Sequence, residues 1–481
     1  MIPPPLEGLG EVFNEQKYKG LLEGLEVSEV MLSDVLDDNE NIRIDSEYFK
    51  KEFLNFFDNV PNLKPLSYFA KDGYRVVYEN TEIVNAEEGK TNNYPYFLQA
   101  TDLETPFIKT DNLFYVNETE WKRYPKGRIQ KGEILIEVKG KIEKVSIVPN
   151  DFPEKTLVSG SLFKLTVNDK ISKNVLLCYL ISKYGVAFKD RYKTNLLISY
   201  VSKPDLYRIP IPDFSKHIQI EIDKKFELIF EKRKKSKALY HQAEELLLET
   251  IGLKDFTLSQ EKTNIKTFKE SFLGTGRLDA EYFQPKYEEL IKHIETFETE
   301  KLSKIVSIKK SIEPGSDAYE TDGIPFIRVS DLSKFGLTDT DIYLDKSKFG
   351  NLGLQPKKNT ILLSKDGSVG IAYKIEQDLD VITSGALLHL IVTNKDFLPD
   401  YITLVLNSEV VKMQAERDAG GSIIQHWKPS EIEQVIIPKI PMPIQQQIST
   451  LIQESFALRK ESERLLVDAK EMVEREIERG K

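Results

Sequence analysis

The chain has 481 residues, 40% hydrophobic and 30% charged, with a net charge of −10. That length accommodates two or three domains with sizeable cores, and the composition excludes an intrinsically disordered chain. The acidic balance argues against a general nucleic-acid coat, although a local basic footprint is enough for DNA binding.

The N-terminus, Met1-Ile2-Pro3-Pro4-Pro5, has neither the basic nor the apolar stretch of a signal peptide. No apolar run approaches the roughly 20 residues of a membrane helix. The single cysteine, Cys178, rules out an internal disulfide, fits a reducing compartment and reads as a buried core residue. The expectation is a soluble, cytoplasmic protein. Residues 1–42 form an N-terminal segment with no assigned role.

From residue 43 onward the chain repeats itself. Arg43-Ile44-Asp45-Ser46-Glu47-Tyr48-Phe49 returns as Arg277-Leu278-Asp279-Ala280-Glu281-Tyr282-Phe283, an offset of 234 residues (43 to 277). Ser159-Gly160 returns as Ser384-Gly385, and Ile209-Pro210 as Ile437-Pro438. Ser236, Leu239 and Ala243 return as Ser462, Leu465 and Ala469, now 226 residues on (236 to 462). Such a period is far too long for a solenoid unit and marks a duplicated domain, which implies pseudo-two-fold symmetry.

Each copy follows one order of elements. The box leads into a short helix, clearest over residues 282–291. Strand-like runs follow, among them Glu133–Val138 and its partner Thr360–Ser364, with Gly140 and Gly367 in the turns after them. Pro-rich exits at residues 209–212 and 437–443 stop each copy. After each exit comes a long helix with apolar or small residues at three-four spacing. These are Ile222, Phe226, Ile229, Ser236, Tyr240, Ala243 and Leu247 in one, and Ile448, Leu451, Ser455, Leu458, Ser462, Leu465, Ala469 and Met472 in the other.

That narrow stripe is a coiled-coil seam. Its expected contacts include Ile222, Ile229, Leu239, Ala243, Ile448, Leu458, Leu465 and Ala469. Equivalent helices of a two-fold pair run antiparallel, and about 35 residues make a rod about 50 Å long. The expected fold is α+β: two mixed α/β domains, 43–212 and 269–442, joined by a helical spacer, 213–268, and a C-terminal helix, 443–481.

Catalytic motifs are missing. The sequence has no phosphate-binding loop, no dinucleotide fingerprint, no Asn/Asp-Pro-Pro-Tyr/Phe tetrapeptide and no histidines at metal-ligand spacing. The one fragment to weigh is Glu137-Val138-Lys139, half of a Mg²⁺-dependent nuclease pattern. Its counterpart, Ser364-Lys365-Asp366, lacks the pattern, so a nuclease is the lesser reading and neither a cofactor nor a metal is expected.

Two loops in each copy carry the residue types that contact phosphates and base edges. The first supplies Lys139 and Lys141, or Lys365 and Ser368. The second supplies Arg191, Lys193 and Asn195, or Arg417, Ser422, Gln425, His426 and Lys428. The basic run at residues 232–237 reads as a solvated helix face.

This order of elements, with the box opening and the Ile-Pro-x-Pro exit closing each copy, resembles the specificity subunit of a type I restriction-modification system, in particular through Arg277–Tyr287, Ile324–Leu332, Ser364–Gly370 and Ile437–Ile448. The resemblance implies two target-recognition domains, each reading half of a split site in double-stranded DNA. It also implies that the helices hold two methyltransferase subunits and the restriction subunits, where the chemistry resides. The alternative is a coiled-coil adaptor without base readout.

Overall fold

The computed structural model describes residues 28, 30–37, 43–76, 81–110, 113–194, 199–259, 261, 263–420 and 425–479. Of the unassigned first 42 residues only nine fall among these (28 and 30–37), and Asn195 and Ser422 lie outside them. The chain divides into two compact units, residues 1–230 with 463–481, and residues 231–462.

The strands of the first unit are β1 (Lys64–Pro65), β2 (Ala70–Arg75), β3 (Ile83–Val84), β4 (Tyr96–Leu98), β5 (Leu103–Glu104) and β6 (Phe107–Ile108). They continue with β7 (Phe114–Val116), β8 (Ile134–Glu137), β9 (Val145–Ile147), β10 (Thr156–Val158), β11 (Leu162–Val167) and β12 (Pro210–Ile211). Two four-stranded sheets run β2-β11-β8-β9 and β10-β4-β7-β3, with two-stranded pairs β1-β12 and β5-β6.

In the second unit the strands are β13 (Thr299–Lys301), β14 (Val306–Lys310), β15 (Tyr319–Glu320), β16 (Ile324–Ile327), β17 (Leu332–Ser333) and β18 (Gly336–Leu337). After them come β19 (Tyr343–Leu344), β20 (Ile361–Ser364), β21 (Ala372–Lys374), β22 (Ile382–Thr383), β23 (Leu387–Val392) and β24 (Ile436–Pro438). Their sheets run β14-β23-β20-β21 and β22-β16-β19-β15, with pairs β13-β24 and β17-β18. Every strand therefore has a counterpart twelve labels on, down to the parallel pairing of β4 with β10 and of β16 with β22. The duplication is structural as well as sequential.

The Pro-rich exits do more than stop a helix. In each unit the exit strand pairs antiparallel with the strand that opens the unit, Lys64 opposite Ile211 and Glu300 opposite Ile437. Proline cannot donate, but its carbonyl can accept. A buried tyrosine uses this in both units: Tyr179 donates to the Pro210 carbonyl, and Tyr401 to that of Pro438 at 2.5 Å.

The long helices span Lys216–Thr250 and Met442–Arg479. The first part of one and the last part of the other complete the first core, through Ile222, Phe226, Ile229, Leu465, Ala469, Val473 and Ile477. In the second core Tyr240, Ala243, Leu247 and Ile251 pack with Ile448 and Ile452. Within each unit the cross-pairs run in opposite directions along the two helices: Ser215 to Glu476 and Lys225 to Asp468 at 3.5 and 3.8 Å in the first, Lys232 to Glu461 at 2.9 Å and Ser236 to Ser455 in the second. The Ser455 hydroxyl meets both the Ser236 hydroxyl, at 3.1 Å, and its carbonyl, at 2.7 Å. The pairing is antiparallel, and small residues bring the backbones together.

The seam is phased differently in places from the expected stripe. Leu239, Leu451, Leu458 and Met472 are half-buried beside it, while Ile452 and Val473, outside the expected stripe, are buried within it. A straight helix drifts by about 20° per heptad against a strict seven-residue repeat, so the buried position slides to a neighbour. Arg233 is also in the stripe, only 4% exposed, so the basic run is not the uniformly solvated face its composition suggests. Hairpin tips brace each unit onto its helical part: Phe107 packs on Phe230 at 5.6 Å, and Phe335 on Tyr240 at 5.0 Å between ring centres.

Candidate nucleic-acid interface

The two loops that looked separate in sequence form one ledge, and the same ledge is built in both units. In the first, the chain leaving β8 is clamped on both sides. Val138 donates to the Ser161 carbonyl at 2.9 Å and accepts from the Val201 amide at 3.0 Å. Lys139 then bridges Tyr200, and the Gly140 amide reaches the Ser199 carbonyl at 3.1 Å. In the second unit Lys365 donates to the Ala386 carbonyl at 2.9 Å and accepts from the Trp427 amide at 2.8 Å. Asp366 bridges His426, and the Gly367 amide reaches the Gln425 carbonyl at 2.9 Å. Gly140 and Gly367 both take positive φ, +99° and +73°, which only glycine adopts without strain.

On these ledges Lys139 and Lys141 are exposed, as are Ser368, Gln425, His426 and Lys428. Lys365 and His426 converge on the Asp366 carboxylate, His426 Nδ1 at 2.8 Å. Lys193 pairs with Asp190, and Lys428 lies 3.4 Å from Glu431. Sequence reasoning missed a further pair of cations. Arg75 and Lys310 occupy the same register on β2 and β14, opposite Phe163 and Leu388. The Arg75 guanidinium lies 5.4 Å from the centre of the Tyr200 ring on the ledge, and Lys310 is exposed. Nothing local marks them, because each sits at the end of an ordinary strand.

Arg191 and Arg417, expected to read bases, are placed elsewhere. Arg191 is 7% exposed, with its guanidinium against Tyr48, Phe53, Phe57 and Tyr192. Its carbonyl accepts from Arg43 Nη1 at 2.8 Å. Arg417 is half-buried, held by Asp418 at 2.7 Å and lying 5.2 Å over Tyr282. These arginines are the sockets of the repeated box. In each box the first arginine grips its own aspartate, Arg43 with Asp45 and Arg277 with Asp279, and holds that carboxyl below the usual range.

Glu137 does not face an open site. Its Oε2 accepts the amides of Glu143 and Lys144 at 3.1 and 3.2 Å and so closes its own loop. Ser364, its counterpart, closes the other loop with its hydroxyl, accepting from Ile371 at 2.9 Å. No three His, Cys, Asp or Glu side chains are grouped to hold a metal among the described residues. Cys178 is fully buried, and burial pushes its thiol far up. No described helix is long and apolar enough to cross a membrane.

The geometry defines a duplicated pair of surfaces. Residues 294–464, from the end of the helix that follows the second box into the C-terminal long helix, match the family model for the type I restriction modification DNA specificity domain. That match bears out the resemblance of this chain to the specificity subunit of a type I restriction-modification system.

Similar solved structures include the type I restriction-modification S subunit from M. genitalium, at 14% identity over 86% of this chain and 96% of that one, TM-score 0.36. The HsdS subunit from Thermoanaerobacter tengcongensis is similar at 13% identity over 88% and 97%, TM-score 0.28. No curated protein matches the chain.

Proposed function

We propose that this chain reads a bipartite DNA site, one half with each unit, and scaffolds the methyltransferase and restriction subunits of a type I complex in the cytoplasm. The observation that carries the reading is the ledge, one backbone framework made twice with different side chains upon it. A common framework with divergent surfaces is what two unlike half-sites require, since the scaffold must keep its geometry while each half-site needs its own donors and acceptors. Lys139, Lys141 and Arg75 are the candidate contacts of the first unit, with Lys193 beside them. Lys310, Lys365, Ser368, Gln425, His426 and Lys428 are those of the second. The net charge of −10 then belongs to surfaces away from the DNA.

The test is to co-express the chain with its cognate methyltransferase and map methylated adenines. The expected result is a split motif that disappears without this chain. Gln425→Ala with His426→Ala should relax one half of the motif and spare the other. An unchanged motif in those variants would instead favour the adaptor, in which the helices assemble partners and the ledges read nothing.

A further inference from the structure

Beneath the first ledge lies a buried charge that the second unit does without. Lys189 is 1% exposed, on the helix Lys183–Tyr192, and its Nζ reaches the Glu143 carbonyl at 3.1 Å. Glu143 and Lys144 are the residues whose amides Glu137 holds. One acidic and one basic side chain, both buried, thus grip the same two-residue stretch through opposite backbone polarities. Burying an ammonium is costly, and the Glu137 and Glu143 carboxylates only partly offset that cost.

In the second unit the seventh residue of the equivalent helix, Glu409–Asp418, is Ala415 where the first has Lys189. There the loop comes close instead: a Cβ on Gly370 would stand 3.9 Å from that of Ala415, and Gly370 has a φ of +85°. The Ser364 hydroxyl supplies the remaining contacts, donating to the Ser368 carbonyl at 2.5 Å.

We infer that Lys189 and Glu137 are positioning residues which set the shape of loop 138–144, and through it the specificity of the first unit. The inference rests on the ledge being the DNA-reading surface. It explains why a buried ammonium stands beneath the first ledge while Ala415 takes the matching place beneath the second. A wholly structural brace would serve both loops alike, whereas here the two loops carry different shapes on one framework. Ile142 takes a positive φ of +63° in the first, and Gly370, not the Ile142 counterpart Val369, takes it in the second.

The test uses the full chain with its methyltransferase. Lys189→Met keeps the volume and removes the donor; Glu137→Gln keeps one acceptor oxygen. Lys139→Ala, on the ledge itself, is measured beside them. In Lys189→Met, discrimination at the first half-site should fall about tenfold while the second half-site stays intact. Amide exchange of Glu143 and Lys144 should speed up, and Glu137→Gln should show the same effects in weaker form. Retained first-half discrimination in Lys189→Met, with Lys139→Ala impaired, would overturn the positioning role and leave the ledge reading standing. If Lys139→Ala also changes nothing, the ledge reading fails as well. Equal loss at both half-sites would overturn the inference too, because it would report a general loss of fold.

Discussion

The guanidinium of Arg191 stacks 4.3 Å from the ring centre of Tyr48, and Arg43 approaches the same ring at 5.1 Å. A tyrosine of the repeated box is thus held between two arginines, as Tyr282 is held between Arg277 at 4.6 Å and Arg417 at 5.2 Å. The box recurs because it fastens the opening of each unit to the helix that precedes the ledge.

Arg191→Ala should therefore act on stability rather than readout. Losing a buried guanidinium among aromatic rings costs about 2–4 kcal/mol, a drop of several degrees in Tm. The protein that remains folded should methylate an unchanged motif. Melting curves and methylation maps on one preparation check both parts, and a relaxed motif with unchanged Tm would return Arg191 to the reading surface.

Tyr179→Phe and Tyr401→Phe should cost similar amounts, about 1–2 kcal/mol each, because each leaves a buried proline carbonyl without its donor. Denaturant titration checks this, and a neutral effect at either site would mean that another donor replaces the hydroxyl there.

Ser455→Leu should destabilise the helix pair by about 1–3 kcal/mol. The Ser455 hydroxyl contacts Ser236 directly, and the close approach leaves no space for a branched side chain. Val467→Leu, at an exposed position on the same helix, should be nearly silent in the same melting experiment.

His389 gives the second unit an acid limit. Burial, aided by Lys309, lowers its pKa from 6.5 to about 4, and it shares a 2.8 Å hydrogen bond with Thr383. Between those two values the unfolded chain binds the extra proton and the folded one does not, so stability falls as pH drops from 6.5 towards 4. The full effect is on the order of 3 kcal/mol. His389→Gln should flatten that part of the stability–pH curve.

Lys189 acts at the alkaline end. Burial lowers its pKa from 10.5 to about 8. The cost of the buried charge is fully present below pH 8 and is relieved as pH rises from 8 to 10.5, where only the unfolded chain still holds the proton. Stability contributed by this residue should therefore increase through that window, by on the order of 3 kcal/mol. Lys189→Met should be the more stable protein at pH 7 and lose the rise, which melting at pH 7 and pH 9.5 tests.

The sequence by itself determined the duplication, the order of elements in each copy and the Pro-rich exits, because these follow from local residue types that recur in register. It also pointed to an antiparallel seam, since the stripe marks the contact face and the two-fold relation between equivalent helices sets the direction. Only the tertiary structure decided which charged residues face inward. Arg191 meets the box from 148 residues away, Lys189 finds its carbonyl 46 residues back, and Arg233 lies inside the seam. Burial of a charge depends on what distant chain segments place around it, and no local pattern encodes that. The ledge was half legible for the same reason: its two loops could be named separately, but their union depends on backbone hydrogen bonds between segments about 60 residues apart, such as those joining Val138 to Val201 and Lys365 to Trp427.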